Sequence, residues 1–308
     1  MVNYEPREAP EPLSGPRVLK LITWNTTGSD DPKKLEQLAQ LVWGDKQRPE
    51  FADIVVIQEF ARTFKKADYD GLCEALAKNS WRFEHSLNEG PGASSRKSYF
   101  SVWNSKRLRL RAPVKFITEP LPVVDRLPSS SSRQPPRKRE KPDRLEAGAL
   151  STVNNPPLAF GFNWFNAQGS SLRMTLYSWH TSQKSADARV RNWPAPEPTP
   201  TAGLLQLGRF QSYVRVASEM QEAMTGRLLF VLAGDLNVYE SLLTSPIEDV
   251  NGDKRVLFPK GWGFEVISGG GSGWDHIVTC HGNKVLIEKS EPGTTLGDHR
   301  PLQGTIKL

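Results

Sequence analysis

The sequence predicts an α/β domain whose buried strands end in polar residues. Short apolar runs that are typical of buried strands occur near both ends of the chain, as "RVLKLITWN" at residues 17–25 and "RLLFVLAGDLN" at residues 227–237. A third run of this kind, "ADIVVIQE", covers residues 52–59. The segment between residues 25 and 52 is amphipathic, which predicts a helix. It has four apolar residues at intervals that suit one helical face: Leu35, Leu38, Leu41 and Val42.

The order strand, helix, strand at the start of the chain continues into further strands. A short helix is expected near residues 69–78, followed by an antiparallel meander formed by "WRFEHSL", "KSYFSVWN" and "LRLRAPVKFIT". Later strands are expected at "ALSTVN", "LAFGFNWF", "RMTLYSWH" and "GWDHIVTC". The segment "KVLIEK" is expected to form a hairpin return, and "FPKGWGFEV" a loop. Since strands occur throughout, the pattern favours one α/β domain over residues 18–308.

One predicted helix precedes the strand "RLLFVLAGD". Its apolar residues recur at intervals of three and four, so we expect them to form a single core-facing stripe: Phe210, Tyr213, Val214, Ala217, Met220 and Met224.

Two segments have the composition of disordered chain. Residues 1–17 are dominated by Pro, Glu and Arg, and residues 120–144 by Pro, Ser and basic residues. The second segment contains "RKRE", which is interpreted as part of a solvated insertion, with an electrostatic tether or a nuclear localisation patch as alternatives. We therefore expect a disordered lead and a disordered loop within one domain.

The bulk properties of the chain favour a soluble protein with an anionic partner. The 308 residues carry a formal net charge of +6, which favours nucleic acid or phospholipid. No apolar run resembles a signal peptide or a membrane span, so we expect a protein that is cytoplasmic or is exported without a Sec signal. An exported protein would need another export route or a carrier protein. We also expect a monomer. Cys73 and Cys280 lack metal-ligand spacing and are expected to be free thiols, with one disulfide as the alternative.

Polar signatures follow several of the predicted strands. Because loops beyond the ends of buried strands in an α/β sheet bring distant side chains together, these residues are expected to form one site. The signatures are Thr23-Trp24-Asn25, Gln58-Glu59, His180, Asp235 with Asn237, and Asp275 with the pair Asp298-His299.

These residue types fit metal-assisted hydrolysis of a phosphodiester. Glu59 and Asp298 offer the carboxylate oxygens that Mg²⁺ prefers, and Asn25 could orient a water or a ligand carboxylate. Hydrolysis also needs an activated water and a group that stabilises the leaving oxygen, for which His180 and His299 have suitable chemistry.

The supporting residues complete this hypothesis. Asp275 could hold the second ring nitrogen of His299 and make that histidine a better base. Asp235 and Asn237 would hold the nucleophilic water and a phosphate oxygen.

In this order, the motifs "TWN", "IQE", "GDLN", "WDHIV" and "GDHRPL" resemble those of the endonuclease/exonuclease/phosphatase superfamily, which includes deoxyribonuclease I. The resemblance runs from about residue 20 to the C-terminus and implies a four-layer α/β sandwich, two packed sheets flanked by helices, with a Mg²⁺-dependent site at one edge. Mn²⁺ or Ca²⁺ are alternative ions. The resemblance also implies metal contacts for Glu59, Asp298 and Asn25, and catalytic or substrate-binding roles for His180, Asp235, Asn237, Asp275 and His299.

The resemblance also bears on the substrate. The segment "YSWHTS" differs from apurinic endonucleases, whereas "LKLITWNTTG" and "VNNPPLAFGFNWF" are most similar to the catalytic subunit of cytolethal distending toxin. In that subunit an Arg usually precedes the proline and grips phosphate, but here Asn154 and Asn155 precede Pro156. The residue that binds phosphate in place of this Arg is therefore unassigned. Arg96, Lys97 and Arg144 are candidates, with solvated loop charges as the alternative interpretation of all three.

The leading hypothesis is a DNA endonuclease, of the toxin or effector kind, with DNA as its substrate. The alternative is a phosphoinositide phosphatase or a sphingomyelinase, which "GDHRPL" and the aromatic segment "FPKGWGF" favour. A catalytically dead binding module would have lost acidic or histidine positions, and none is lost.

Overall fold

The computed structural model describes the greater part of the chain, as a set of ranges separated by gaps. These are residues 17–27, 33, 38, 52–60, 83–89, 98–117, 156–166, 169–181, 202–248, 254–269, 273–282, 285–290 and 299–308.

Most of the strands in these ranges belong to two mixed sheets. The first sheet has the order β14-β15-β1-β2-β4-β3 and the second β12-β13-β9-β8-β7-β5, with β6 also paired to β7. Each sheet has one parallel pair, β1 with β2 and β8 with β9. The first sheet contains β1 (Val18–Asn25), β2 (Ile54–Phe60), β3 (Phe83–Glu89), β4 (Ser98–Asn104), β14 (Leu286–Ser290) and β15 (Leu302–Lys307).

The second sheet carries the helices on its outer face. Its strands are β5 (Leu108–Leu110), β6 (Lys115–Phe116), β7 (Leu158–Phe165), β8 (Ser171–Ser178), β9 (Leu229–Asp235), β12 (Phe264–Gly269) and β13 (Asp275–Cys280). The described helices are α1 (Ala202–Ser212), α2 (Val214–Met224) and the short α3 (Glu240–Thr244), and β10 (Ile247–Glu248) pairs with β11 (Lys254–Arg255).

The two sheets pack face to face around an apolar interior. Leu21 and Val56 of the first sheet share this core with Leu176 and Val231 of the second. A second core lies between the outer face of the second sheet and the helices, where Phe210 contacts Tyr177 edge to face. Burial of each such side chain contributes about 1.5–3 kcal/mol. The α/β sandwich predicted from the sequence is confirmed.

The outer face of the first sheet is buried as well. Ile22, Trp24, Val55 and Ile57 are at most 2% exposed. Leu38, which has helical backbone geometry, is also buried, in agreement with the predicted helix at that point. The rest of that helix lies outside the described residues.

The predicted helical stripe over residues 210–224 is wrong in part. The backbone of Tyr213 is extended, with φ −62° and ψ 130°, so the segment forms two helices instead of one. The break interrupts the helical spacing of the stripe, and Val214 is 74% exposed while Val216 is buried. Ala217 is exposed too, although Met220 and Met224 pack against the core as expected.

Three further predictions are corrected, two about strand pairing and one about a loop. The segment "KVLIEK" forms β14, which pairs with β15 of the first sheet instead of returning against β13. The segment "LRLRAPVKFIT" leaves the meander, since β5 and β6 pair with β7 of the second sheet. In "FPKGWGFEV", a 3-10 turn at Lys260–Trp262 is followed at once by β12. Alternation identifies a strand, but tertiary contacts decide its partner.

Some predictions fall on residues that the structure does not describe. These are the disordered lead, the loop at 120–144, the helix near 69–78, the strand "ALSTVN", and Cys73. Cys280 is a buried free thiol, and burial raises its pKa to about 11. In the described ranges, no helix has the length and apolarity needed to cross a membrane.

Candidate active site

Strand ends from both sheets meet at one edge of the sandwich. In the first sheet, Asn25 at the end of β1 lies beside Gln58 near the end of β2. In the second sheet, Asp235 at the end of β9 pairs with Asp275, the first residue of β13. A hydrogen bond from Asn25 Nδ2 to Asp235 Oδ2, 2.9 Å long, joins the two sheets at this edge.

Asp235 is the centre of the cluster. Its Oδ1 accepts a hydrogen bond from the backbone N–H of Asn237 at 3.0 Å, and its Oδ2 accepts the one from Asn25. The Nε2 atoms of His180 and His299 each lie 3.7 Å from the same Oδ2. A buried carboxylate is therefore held by two amides and flanked by two imidazoles.

His299 is held in place from two sides. Its Nδ1–H donates to Asp275 Oδ2 at 2.7 Å, and the indole N–H of Trp24 donates to its backbone carbonyl at 3.1 Å. Burial lowers the pKa of His299, but the hydrogen bond and charge of Asp275, with the charges of Asp235 and Glu59, outweigh this and raise it. The structure thus orients Nε2 of this ring toward Asp235.

His180 lies between two carboxylates. Its Nδ1 is 3.3 Å from Oε1 of Glu59, while its Nε2 faces Asp235. Its backbone N–H donates to the hydroxyl oxygen of Tyr99 at 3.2 Å. Tyr99 is 2% exposed, and burial raises the pKa of its phenol.

Sequence reasoning missed Tyr99, although a signal for it existed. Alternation in "SYFSVWN" turns Tyr99 toward the sandwich interior, where a tyrosine hydroxyl usually needs a hydrogen-bond partner. Its partner here is the backbone of a site residue.

Unusual backbone geometry is concentrated at this edge. Within the described ranges, the non-glycine residues with positive φ are Thr27 at 56°, Glu59 at 53° and Asn237 at 49°. Glu59 lies at a bulge where the register between β2 and β4 shifts. Such conformations tend to occur at functional sites, where the surrounding structure enforces them.

Gly234 allows the segment after β8, which carries His180, to lie close to β9. A Cβ atom at Gly234 would lie 1.8 Å from the carbonyl oxygen of Trp179, and its φ is 147°. The backbone N–H groups of Trp179 and Thr181 donate to Ala233 and Asp235 at 3.0 Å. The glycine in "GDLN" therefore allows the close approach that positions His180.

Buried polar residues support the site from beneath. Gln58 is fully buried, and its Nε2 lies 2.9 Å from Ser178 Oγ and 3.1 Å from Thr23 Oγ1, so it links the two sheets. Asn237 Nδ2 donates to the carbonyl of Thr181 at 2.9 Å. These bonds fix the strand ends that carry the site residues.

The structure brings together seven of the eight predicted site residues, and Asp298 lies outside the described residues. No group of three or more His, Cys, Asp and Glu side chains in the described ranges is arranged to hold a metal ion. Glu59 nevertheless offers a carboxylate of the kind that binds Mg²⁺ together with waters and substrate phosphate, whereas Oδ1 of Asn25 accepts a hydrogen bond from the backbone N–H of Thr27 at 2.9 Å. The Glu59 side chain is 22% exposed, whereas that of Asp235 is 3% exposed.

Two other histidines, His276 and His281, contact hydrogen-bonding groups outside the candidate site. His276 is bonded at both ring nitrogens, to Ser268 Oγ at 2.7 Å and to the carbonyl of Val238 at 2.6 Å. Burial lowers its pKa to about 4. His281 Nδ1 contacts the carbonyl of Leu228 at 3.0 Å, and the side chain of His85 is outside the described residues.

No protein-family model and no curated protein matches the chain. Several solved structures are similar to the chain in fold. The chain is 13% identical to truncated TDP2 from Caenorhabditis elegans, with a TM-score of 0.50 over 94% of this chain and 98% of that one. It is also 13% identical to an endonuclease/exonuclease/phosphatase from Beutenbergia cavernae, with a TM-score of 0.51 over 95% of this chain and 72% of that one.

These likenesses show the fold. The chain has the same α/β sandwich fold as these structures, which is the fold that the motif resemblance implied. The finer resemblance to the distending-toxin subunit stays a prediction.

Proposed function

We propose that the chain is a divalent-metal-dependent phosphodiesterase that cleaves the DNA backbone as an endonuclease. One observation carries the proposal: His180 Nε2 and His299 Nε2 both lie 3.7 Å from Asp235 Oδ2. This separation is too long for a direct hydrogen bond. It admits an oxygen atom about 2.8 Å from both the imidazole nitrogen and the carboxylate. Water and phosphate oxygens are the reacting atoms that such positions suit.

The proposed roles follow from these contacts. Asp235, oriented by Asn25 and Asn237, holds the attacking water and accepts its proton. His180 and His299 direct Nε2 at the phosphate, where they exchange protons with its oxygens and stabilise the developing charge. Asp275 is a positioning residue that fixes the tautomer and orientation of His299.

A divalent cation would be held by Glu59 and Asn25, together with Asp298 as the resemblance implies. When bound, it supplies positive charge beside the phosphate.

The placement of the aromatic residues favours DNA over a lipid. The net charge of +6 suits a polyanionic DNA backbone and an anionic phospholipid alike, so it does not separate the two. The lipid alternative relied on the aromatic segment "FPKGWGF", but Phe264 is fully buried and pairs with Cys280 at the far end of β13. Five residues of strand, about 17 Å, separate that end from Asp275. The exposed Trp262 therefore lies away from the candidate site.

The role as a toxin or effector nuclease rests on the motif resemblance. In that role the chain would reach its target by an export route without a Sec signal or with a carrier protein.

Purified protein incubated with supercoiled plasmid, and separately with phosphoinositides and with sphingomyelin, tests the proposal. Each reaction is run with Mg²⁺ and with a chelator. The proposal predicts plasmid nicking that requires Mg²⁺. Metal-dependent turnover of either lipid without nicking would overturn it in favour of the alternative.

A further inference from the structure

We infer that Tyr239 and Trp274 form a stacking site for a nucleobase next to the scissile phosphate, an inference that rests on the proposed function. Tyr239 follows Asn237 by two residues, and Trp274 directly precedes Asp275. The backbone N–H of Leu236 donates to the carbonyl of Trp274 at 3.0 Å, which ties the two segments together. The aromatic pair is thus attached to the two strands that carry the candidate catalytic carboxylates.

The geometry of the pair leaves ring surface open. The ring centroids are 6.5 Å apart and the ring planes are inclined at 81°. In such an edge-to-face contact, the edge of one ring covers one face of the other, so the remaining faces are not used by the pair. Tyr239 is 43% exposed and Trp274 is half-buried. Tyr239 is therefore the stacking surface, and Trp274 supports it.

The backbone holds this surface in a fixed position. Tyr239 precedes the first residue of α3 and has an extended conformation, with φ −73° and ψ 145°. Its carbonyl accepts a hydrogen bond from the N–H of Leu242 at 3.0 Å. A ring that is already positioned loses little entropy when a ligand stacks on it.

A nucleobase fits this surface better than a lipid does. Among the described residues, five large apolar side chains are clearly exposed, and of these only Tyr239 lies at the candidate site. A membrane-binding surface would need a contiguous apolar patch. A single exposed ring beside a phosphate site instead matches the way in which single strands are bound, with bases stacked on aromatic residues and little sequence preference. The substrate class is therefore DNA in which the base next to the cleaved bond is unpaired or can be unstacked.

Binding of a short single-stranded oligonucleotide carrying 2-aminopurine tests the inference, because stacking quenches the fluorescence of this base. The full-length wild type is titrated in the presence of a chelator, so that no turnover occurs. Tyr239→Leu should weaken binding by about five- to 150-fold and abolish the quenching. Tyr239→Phe keeps the ring and should retain both.

Trp262→Ala is the matched control. It removes another exposed aromatic side chain, 63% exposed and remote from the site, and should bind as the wild type does. Thermal unfolding of each variant checks its fold. Absence of quenching in the wild type, or equal quenching in wild type and Tyr239→Leu, overturns the inference.

A second arm separates this inference from the proposed function. With Mg²⁺ present, the Tyr239→Leu variant should lose kcat/KM on the oligonucleotide but not on one with abasic sugars around the scissile bond. Equal losses on both substrates contradict a base-stacking role. If the wild type shows Tyr239-dependent quenching but cleaves neither the oligonucleotide nor supercoiled plasmid, the stacking site stands and the proposed function fails.

Discussion

Replacing Asp275 by Asn removes one negative charge at the centre of the candidate site and changes little else. Asp275 is fully buried and accepts a 2.7 Å hydrogen bond from His299 Nδ1. A hydrogen bond to a charged group contributes about 1.5–3 kcal/mol, and each 1.4 kcal/mol corresponds to a factor of ten. We therefore expect kcat to fall by about 10- to 150-fold. Since the side chains are isosteric and the strand pairing is unchanged, KM should change little.

The initial rate of plasmid nicking with Mg²⁺ measures this effect, and thermal unfolding shows whether the variant is folded. Asp53→Asn is a suitable control, because Asp53 is also a buried carboxylate but lies at the opposite end of β2. Its partners there are the guanidinium of Arg107 and the backbone N–H of Lys20. It should lower stability and leave kcat within about twofold for a folded enzyme. A folded Asp275→Asn variant with wild-type kcat would refute the positioning role.

Three further predictions concern the site and its supports. His180→Ala and His299→Ala should each reduce kcat by about 10²- to 10⁴-fold in the nicking assay, and near wild-type nicking by either variant would refute its assignment. Gly234→Ala should lower the free energy of unfolding by about 3 kcal/mol or more in denaturant titrations, because its Cβ would meet the Trp179 carbonyl; an unchanged midpoint would contradict this. Burial lowers the pKa of His276 to about 4 from an ordinary 6.5, so the folded state binds fewer protons and stability should fall by about 1.4 kcal/mol per unit as pH drops from 6.5 to 4. His276→Gln should remove that part of the slope, and identical slopes in variant and wild type would count against it.

The strands of the site could be predicted from the sequence because their signals are local. The apolar run "LFVLAGD" is buried along its whole length and "IVVIQEF" everywhere except at Glu59, and each strand carries polar residues at its end. The convergence of Asn25, Glu59, His180 and Asp235 then follows from the shared direction of strand ends in an α/β fold. His299 instead precedes β15, and because β15 is antiparallel to β1, its start lies at the same edge.

Other features depend on tertiary contacts that local patterns do not encode. No proline or glycine marks the break at Tyr213, so the apolar periodicity predicts one continuous helix across it. The strand β14 pairs with β15 of the first sheet and not with β13, which precedes it in the chain, and alternation alone does not reveal this. The contact of Tyr99 with the backbone of His180 joins residues 81 positions apart.

The central claim is that the carboxylate of Asp235, held between two imidazoles, is the centre of a phosphodiesterase site. The most direct measurement is the Mg²⁺-dependent nicking rate of Asp235→Asn beside that of the wild type, with thermal unfolding of both. We expect a folded variant whose rate is lower by about 10³-fold, because its amide cannot accept a proton from the attacking water. A folded Asp235→Asn variant that nicks plasmid at the wild-type rate would contradict it.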